Sequence, residues 1–256
     1  MFRAGAKERV GYEGDGRGLL LTRKLSARWL EQNHRADSYL SLLPNRAAIR
    51  ATDFWGEEAE NELDPPVPGV IPRFPAEKEW HLEKAVEPPI EPYWVLAPGS
   101  NAESRRWPVE SYLTLAHRIS SETKLRGVVI GGPSEATLAD RLCDDRTLRL
   151  KNLTAQGSAA SYWKVFRNAK LTVANDSGLA HIAALCGSPV QVIWGAGDPK
   201  RTEPIGPGKV RVIFNPIDCW PCEKNQCQRT TGAKLECLKG LSPDLVWKEI
   251  QSGFKS

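Results

Sequence analysis

An aspartate, a serine and a histidine crowd one helical turn in the stretch ANDSGLAHIAALCG, which runs from Ala174 to Gly187. Asp176 and Ser177 precede an apolar run in which Leu179, Ile182, Ala183 and Cys186 recur at spacings of three and four. That spacing predicts a helix with one buried face. Asp or Ser in this place is an N-cap, accepting a free backbone N–H for about 1 kcal/mol. Gly187 closes the helix at C′ and Pro189 stops its continuation. A cap alone leaves His181 unexplained. It shares the first turn, where free N–H groups and the helix dipole favour an anion. A phosphate bound there would accept from the backbone of Ser177 and Gly178 and from the imidazole. Gly178 lets it approach because it carries no side chain.

The elements around this turn alternate. YWVLAPGS (93–100) reads as a strand ending in Pro-Gly, and VESYLTLAHRIS (109–120) as a helix with Pro108 as its first residue. LRGVVIGGPSE gives a strand and a Gly-Gly turn, SEATLADRLCDD a helix, and SAASYWKVFRNAK another. LTVAND is the next strand. SPVQVIWGAGDP and VRVIFN follow as strands, and SPDLVWKEIQSGF as a terminal helix with Ser242 or Asp244 near its start. Strand and helix in alternation mean a parallel sheet covered on both faces, a Rossmann-like domain whose ligand lies at the carboxyl ends of the strands. Four polar or glycine turns would then share one edge: 98–101, 131–135, 175–178 and 195–198. Neither G-x-G-x-x-G on the first strand nor G-x-x-x-x-G-K-[ST] occurs. A dinucleotide redox cofactor is thus disfavoured and a P-loop excluded.

Charge divides the 256 residues. Residues 1–50 carry a net +5, residues 51–91 a net −8 with eight prolines between Pro65 and Pro92, and residues 92–256 a net +7. An acidic, proline-rich stretch makes a poor core and a good linker. The expected organisation is therefore a partial domain over 1–75, a linker over 76–92 and a sheet domain over 93–256. The basic flanks suit an anionic ligand or membrane surface, or are solvated faces. No recognised nucleic-acid module is present. Without a membrane-length apolar run or a signal-peptide core, the chain reads as cytoplasmic.

NDSGLAHIAALCGSPVQVIWGAGDPKRTEP and APGSNAESRRWPVESYLTLA together resemble glycosyltransferase family 9, the lipopolysaccharide heptosyltransferases. GYEGDGRGLLLT and NHRADSYLSLL resemble the end of that family's N-terminal domain, nearest its heptosyltransferase II branch. The resemblance implies a GT-B architecture: a complete C-terminal Rossmann-like domain for ADP-heptose and part of an N-terminal one for the acceptor, the lipopolysaccharide inner core. It implies an inverting transfer and peripheral contact with the inner membrane. On the matching positions, Asp176, Ser177, Gly178 and His181 would hold the diphosphate and donor sugar. Ser100, Asn101 and Arg105 would reach the phosphates, with Arg standing where the family usually has Lys. Glu135 would accept from the ribose hydroxyls or cap its helix, and Thr154 to Ser158, including Gly157, would border the adenine. The family's base lies in a Gly-Asp segment that would precede Met1, so the catalytic residue is unassigned. Asp15 reads as shaping its loop rather than as a substitute. Another donor or acceptor within the family, or a nucleotide-sugar-binding remnant without transfer, are the alternatives. Without an Asp-x-Asp motif, neither a catalytic metal nor a cofactor is expected.

One segment stands apart. CWPCEKNQCQRTTGAKLEC carries Cys219, Cys222, Cys227 and Cys237. The C-x2-C pair with two more thiols is a zinc candidate, but the wide second spacing is no standard knuckle. Free thiols packing a loop are a second reading, and a redox C-x-x-C a third, although the pair sits late in the sheet and opens no thioredoxin-like unit.

Overall fold

The computed structural model describes residues 9–14, 16–32, 34–36, 84–230 and 232–254. The chain divides into two compact units, 1–70 with 200–202, and 71–199 with 203–256. In the first, β1 (Val10–Tyr12) and β2 (Arg23–Leu25) pair in parallel, and α1 (Ala27–Gln32) follows. Asp15 and most of the helix predicted over 33–43 lie outside the described residues.

The second unit is built on one six-stranded parallel sheet. Its strands are β3 (Tyr93–Ala97), β4 (Arg126–Val129), β5 (Lys151–Asn152), β6 (Thr172–Asn175), β7 (Val190–Trp194) and β8 (Val210–Phe214). The spatial order is β5-β4-β3-β6-β7-β8. Chain order reverses between β3 and β6, where Val95 pairs with Thr172 and Ala97 with Ala174. Such a reversal opens a crevice at the carboxyl edge of the sheet.

The central strands β3, β6 and β7 are buried along their whole length, as a parallel sheet covered on both faces requires. Along β3, Trp94 and Leu96 enter one core while Tyr93, Val95 and Ala97 enter the other. On the first face lie α2 (Val109–Thr123), α3 (Ala136–Cys143) and α6 (Pro243–Phe254), through Tyr112, Leu115, Leu142, Val246 and Trp247. On the second lie α4 (Trp163–Arg167) and α5 (Gly178–Leu185), through Val165, Phe166, Ala180 and Ala183. Val86 is buried in this second core and its N–H donates to the Ser161 carbonyl at 2.8 Å.

Two local expectations need correcting. Pro108 is the N-cap of α2, with extended ψ of 140°, rather than its first helical residue. The helix predicted over 158–170 is a 3-10 turn at Ala160–Tyr162 leading into the five-residue α4. β5, only two residues long, had no periodicity to announce it. Gly187 takes φ +82° just past α5, the left-handed C′ position that glycine fills without strain. Ser242 accepts the Leu245 N–H at 3.2 Å and caps α6.

Candidate functional site

The loops after β3, β4, β5 and β6 open onto one cavity of about 440 Å³ at the carboxyl edge of the sheet. That volume suits a small-molecule ligand. The backbone there is fixed from beneath by Asn175, the last residue of β6, which is fully buried. Its Oδ1 accepts the Trp107 N–H at 3.2 Å and the Tyr112 hydroxyl at 2.6 Å. Its Nδ2 donates to the Pro98 carbonyl at 2.5 Å. One carboxamide therefore ties the loop after β3 to the loop after β6.

Above this clamp the Arg105 Nε stands 3.3 Å from Asp176 Oδ2, with Asp176 4% exposed and Arg105 about a third exposed. A carboxylate repels an anion, by about 4 kcal/mol at 4 Å and an effective dielectric of 20. Asp176 pairs with that guanidinium, and its main-chain carbonyl accepts the Ser100 hydroxyl at 3.3 Å. Gly197 passes behind it: a Cβ there would lie 2.7 Å from Asp176 Oδ2. The fourth predicted turn, 195–198, therefore backs the site without lining it. Arg106 secures the approach to Arg105 by donating to the carbonyls of Ser100 and Asn101.

Ser177 holds the N-cap position of α5, yet its side chain makes no capping bond. This corrects the expectation that it satisfies a helix N–H. Its Oγ has no hydrogen-bond partner among the described residues, and the residue lines the cavity. Nothing stands within 4 Å of where a Gly178 Cβ would be. The helix thus presents an unbonded N-cap hydroxyl and the positive end of its dipole, with Arg105 also on the cavity wall. This is the chemistry of an anion site.

Glu135 lies across the next wall. Its Oε2 accepts the Gly132 N–H at 2.8 Å and its Oε1 the Ser134 hydroxyl at 2.8 Å. The carboxylate covers Gly99, where a Cβ would come within 2.5 Å of Glu135 Cγ, and Gly131, where it would meet the Glu135 Cβ at 2.8 Å. Glu135 is the N-cap residue of α3 but its side chain makes no capping bond to that helix; it instead accepts the N–H of Gly132 at the start of the 3-10 turn Pro133–Glu135. This leaves lone pairs for a second acceptor role, since a carboxylate offers about four sites. Gly157 and Tyr162 continue the lining. The Tyr162 hydroxyl lies between the carbonyls of Leu153 (2.8 Å) and Gly131 (3.1 Å) and accepts the Gln156 N–H. Burial raises its pKa and keeps the proton on.

Of the residues singled out from sequence, Ser100, Asn101, Arg105, Glu135, Gly157, Asp176, Ser177 and Gly178 line this cavity. Thr154 and His181 are not among its lining residues; both are half-buried. Asn175 was placed in the turn over 175–178 without a role of its own, and Tyr162 and Asn225 were missed. Tyr162 was read only as part of a helix, and Asn225 sits within the cysteine segment.

The four cysteines Cys219, Cys222, Cys227 and Cys237 are free thiols lining a second, small cavity together with Ser104 and Ala196. The Leu235 N–H donates to Cys227 Sγ at 3.4 Å. Burial, then the charges of Cys222, Cys219 and Cys227, push the Cys237 thiol up. Among the described residues no three His, Cys, Asp or Glu side chains are grouped so as to hold a metal ion.

A six-stranded parallel sheet whose strand order reverses beside the N-terminus of α5 defines a domain of the Rossmann-like class. The chain belongs to glycosyltransferase family 9, the heptosyltransferases, whose model matches residues 1–231. It is 27% identical over 183 residues to lipopolysaccharide heptosyltransferase 1 of Pseudomonas aeruginosa, covering 68% of this chain and 49% of that protein. The chain spans about half the length of the curated relatives it matches. Among solved structures it is similar to E. coli ADP-heptose LPS heptosyltransferase II, with a TM-score of 0.66 at 20% identity, over 98% of this chain and 71% of that one. E. coli heptosyltransferase WaaC with ADP superposes with a TM-score of 0.50 at 21% identity, over 65% of this chain and 46% of that one. These likenesses establish the α/β fold of GT-B heptosyltransferases.

Proposed function

We propose that the cavity binds ADP-heptose, and that the protein to which this chain corresponds transfers heptose to the inner core of lipopolysaccharide with inversion. The observation that carries the reading is the unbonded Ser177 hydroxyl at the open N-terminus of α5, with the Arg105–Asp176 pair on the same cavity. An open helix terminus with a paired guanidinium suits a diphosphate. The ADP held by the WaaC neighbour supports the adenine nucleotide. The ribose diol fits Glu135, and the adenine the glycine-rich wall of Gly131 and Gly157 beside Tyr162.

In the reaction an acceptor hydroxyl oxygen attacks the anomeric carbon as the bond to the β-phosphate oxygen breaks. The hydroxyl proton passes to a general base, and ADP departs carrying the electron pair. Negative charge grows on the leaving diphosphate. The α5 N–H groups, the Ser177 hydroxyl and Arg105 are already aimed there and stabilise it. Asp176 positions Arg105. No residue of this chain is assigned as the base. No helix among the described residues is long and apolar enough to cross a membrane. We place the protein at the cytoplasmic face of the inner membrane, in peripheral contact with its lipid-linked acceptor.

Calorimetric titration with ADP tests the site. Arg105→Gln removes a charge-assisted interaction of about 1.5–3 kcal/mol, so affinity should fall about 10- to 100-fold with thermal stability monitored in parallel. Equal affinity for wild type and a folded Arg105→Gln variant would refute the assignment.

A further inference from the structure

The loops that line the cavity follow the spatial order of the strands. Gly157 and Tyr162 come after β5, Glu135 after β4, Arg105 after β3, and Ser177 after β6. A nucleoside diphosphate sugar is a linear ligand. With its base beside β4 and β5 and its phosphates at Arg105 and α5, its sugar would extend away from β4 and β5. Asn225, contributed by the cysteine segment, also lines the cavity, next to the loop that carries Arg105.

Asn225 is held there by its main chain. Its carbonyl accepts the Ser104 N–H at 3.2 Å, and the neighbouring Lys224 carbonyl accepts the Ser104 hydroxyl. The same segment is bonded to the loop after β7: the Glu223 N–H donates to the Ala196 carbonyl at 2.8 Å, and the Trp220 indole N–H to the Gly195 carbonyl at 2.9 Å. The Asn225 side chain makes no hydrogen bond among the described residues. A carboxamide donates and accepts without charge. It matches a sugar hydroxyl, which does both, and adds little toward a phosphate.

We infer that Asn225 is a specificity-determining residue that contacts the hydroxyls of the donor sugar, and that Ser104 positions it. This rests on the nucleotide-sugar reading of the cavity. The test is calorimetric titration of the 256-residue chain and its Asn225→Ala and Asn225→Gln variants with ADP and with ADP-heptose. Loss of one or two neutral hydrogen bonds should weaken ADP-heptose binding by Asn225→Ala about 3- to 10-fold. The ADP affinity should stay within about twofold, and Asn225→Gln should recover part of the loss. Equal affinity of the wild type for ADP and ADP-heptose would overturn the inference while leaving the nucleotide site standing. So would an unchanged ratio, or parallel weakening of both ligands, in Asn225→Ala. A folded wild type that binds neither ligand would overturn the reading of the cavity itself.

Discussion

Removing the Asn175 carboxamide should damage the molecule out of proportion to the size of the side chain. Asn175→Ala strands three groups inside the fold: the Trp107 N–H, the Tyr112 hydroxyl and the Pro98 carbonyl. Each buried, unpaired polar group costs about 1–3 kcal/mol. A water admitted to the vacated space would satisfy part of that, so the net loss is about 3–5 kcal/mol. Against a total stability of roughly 5–15 kcal/mol, the urea midpoint followed by tryptophan fluorescence should drop sharply, with the m-value unchanged. Asn175→Asp sharpens the test. It keeps both acceptor bonds but sets a carboxylate oxygen against the Pro98 carbonyl. Burial and that carbonyl raise the folded-state pKa above the unfolded value of about 3.9. The variant's stability is therefore fully present below about pH 4 and is lost as pH rises through the raised folded pKa. Each pKa unit of that rise corresponds to about 1.4 kcal/mol lost on going from pH 4 to pH 7. A loss under about 1 kcal/mol in Asn175→Ala, or an Asn175→Asp profile parallel to wild type, would refute the clamp.

Ser177→Ala should leave the melting temperature within about 1 °C, because no cap bond is lost, while ADP affinity falls about 3- to 10-fold; a fall in stability of the ordinary capping size, about 1 kcal/mol, would contradict the geometry. Gly99→Ala drives a methyl into Glu135 and should weaken ADP binding in wild type but add little on top of Glu135→Ala, a coupling read from a double-mutant cycle. Burial, with Asp140 and Asp144 nearby, pushes the Cys143 thiol up to about 11, and burial pushes Cys186 up to about 12. Only the thiolate reacts, so alkylation mapped by peptide mass spectrometry should be slow at both at pH 8, and at Cys143 should rise about tenfold per pH unit. Modification of Cys143 as fast as exposed Cys219 at pH 8 would count against this.

The parts of this architecture that were legible in the sequence are those written locally. Apolar strands ending in Pro98-Gly99, Gly131-Gly132 and Asn175-Asp176 announce a parallel sheet and its ligand edge. Helical spacing sets the buried face of α2, whereas in α5 the small residues Ala180, Ala183 and Ala184 are buried and the expected Leu179 and Ile182 only partly so. What stayed hidden depends on distant partners. Nothing adjacent to Asn175 shows that its bonds reach residues 63 to 77 positions away. Ser177 looks like an ordinary cap until its hydroxyl is seen without a helix N–H. Glu135 looked like either a cap or a ligand, and only its bond to the Gly132 N–H and the packing over Gly99 and Gly131 show that it stays on the cavity wall. Asn225 is reached by a chain return through the cysteine segment, for which no periodicity speaks. His181 was placed by its position in the first turn of α5, and it is not among the residues lining the cavity.

The most direct test of the central claim is a crystal structure of the chain with ADP bound. The diphosphate should lie against the Ser177 hydroxyl, the Gly178 N–H and Arg105, with the ribose at Glu135 and the base beside Gly131 and Tyr162. ADP bound elsewhere, or in this cavity with its base toward Asn225, would contradict the account.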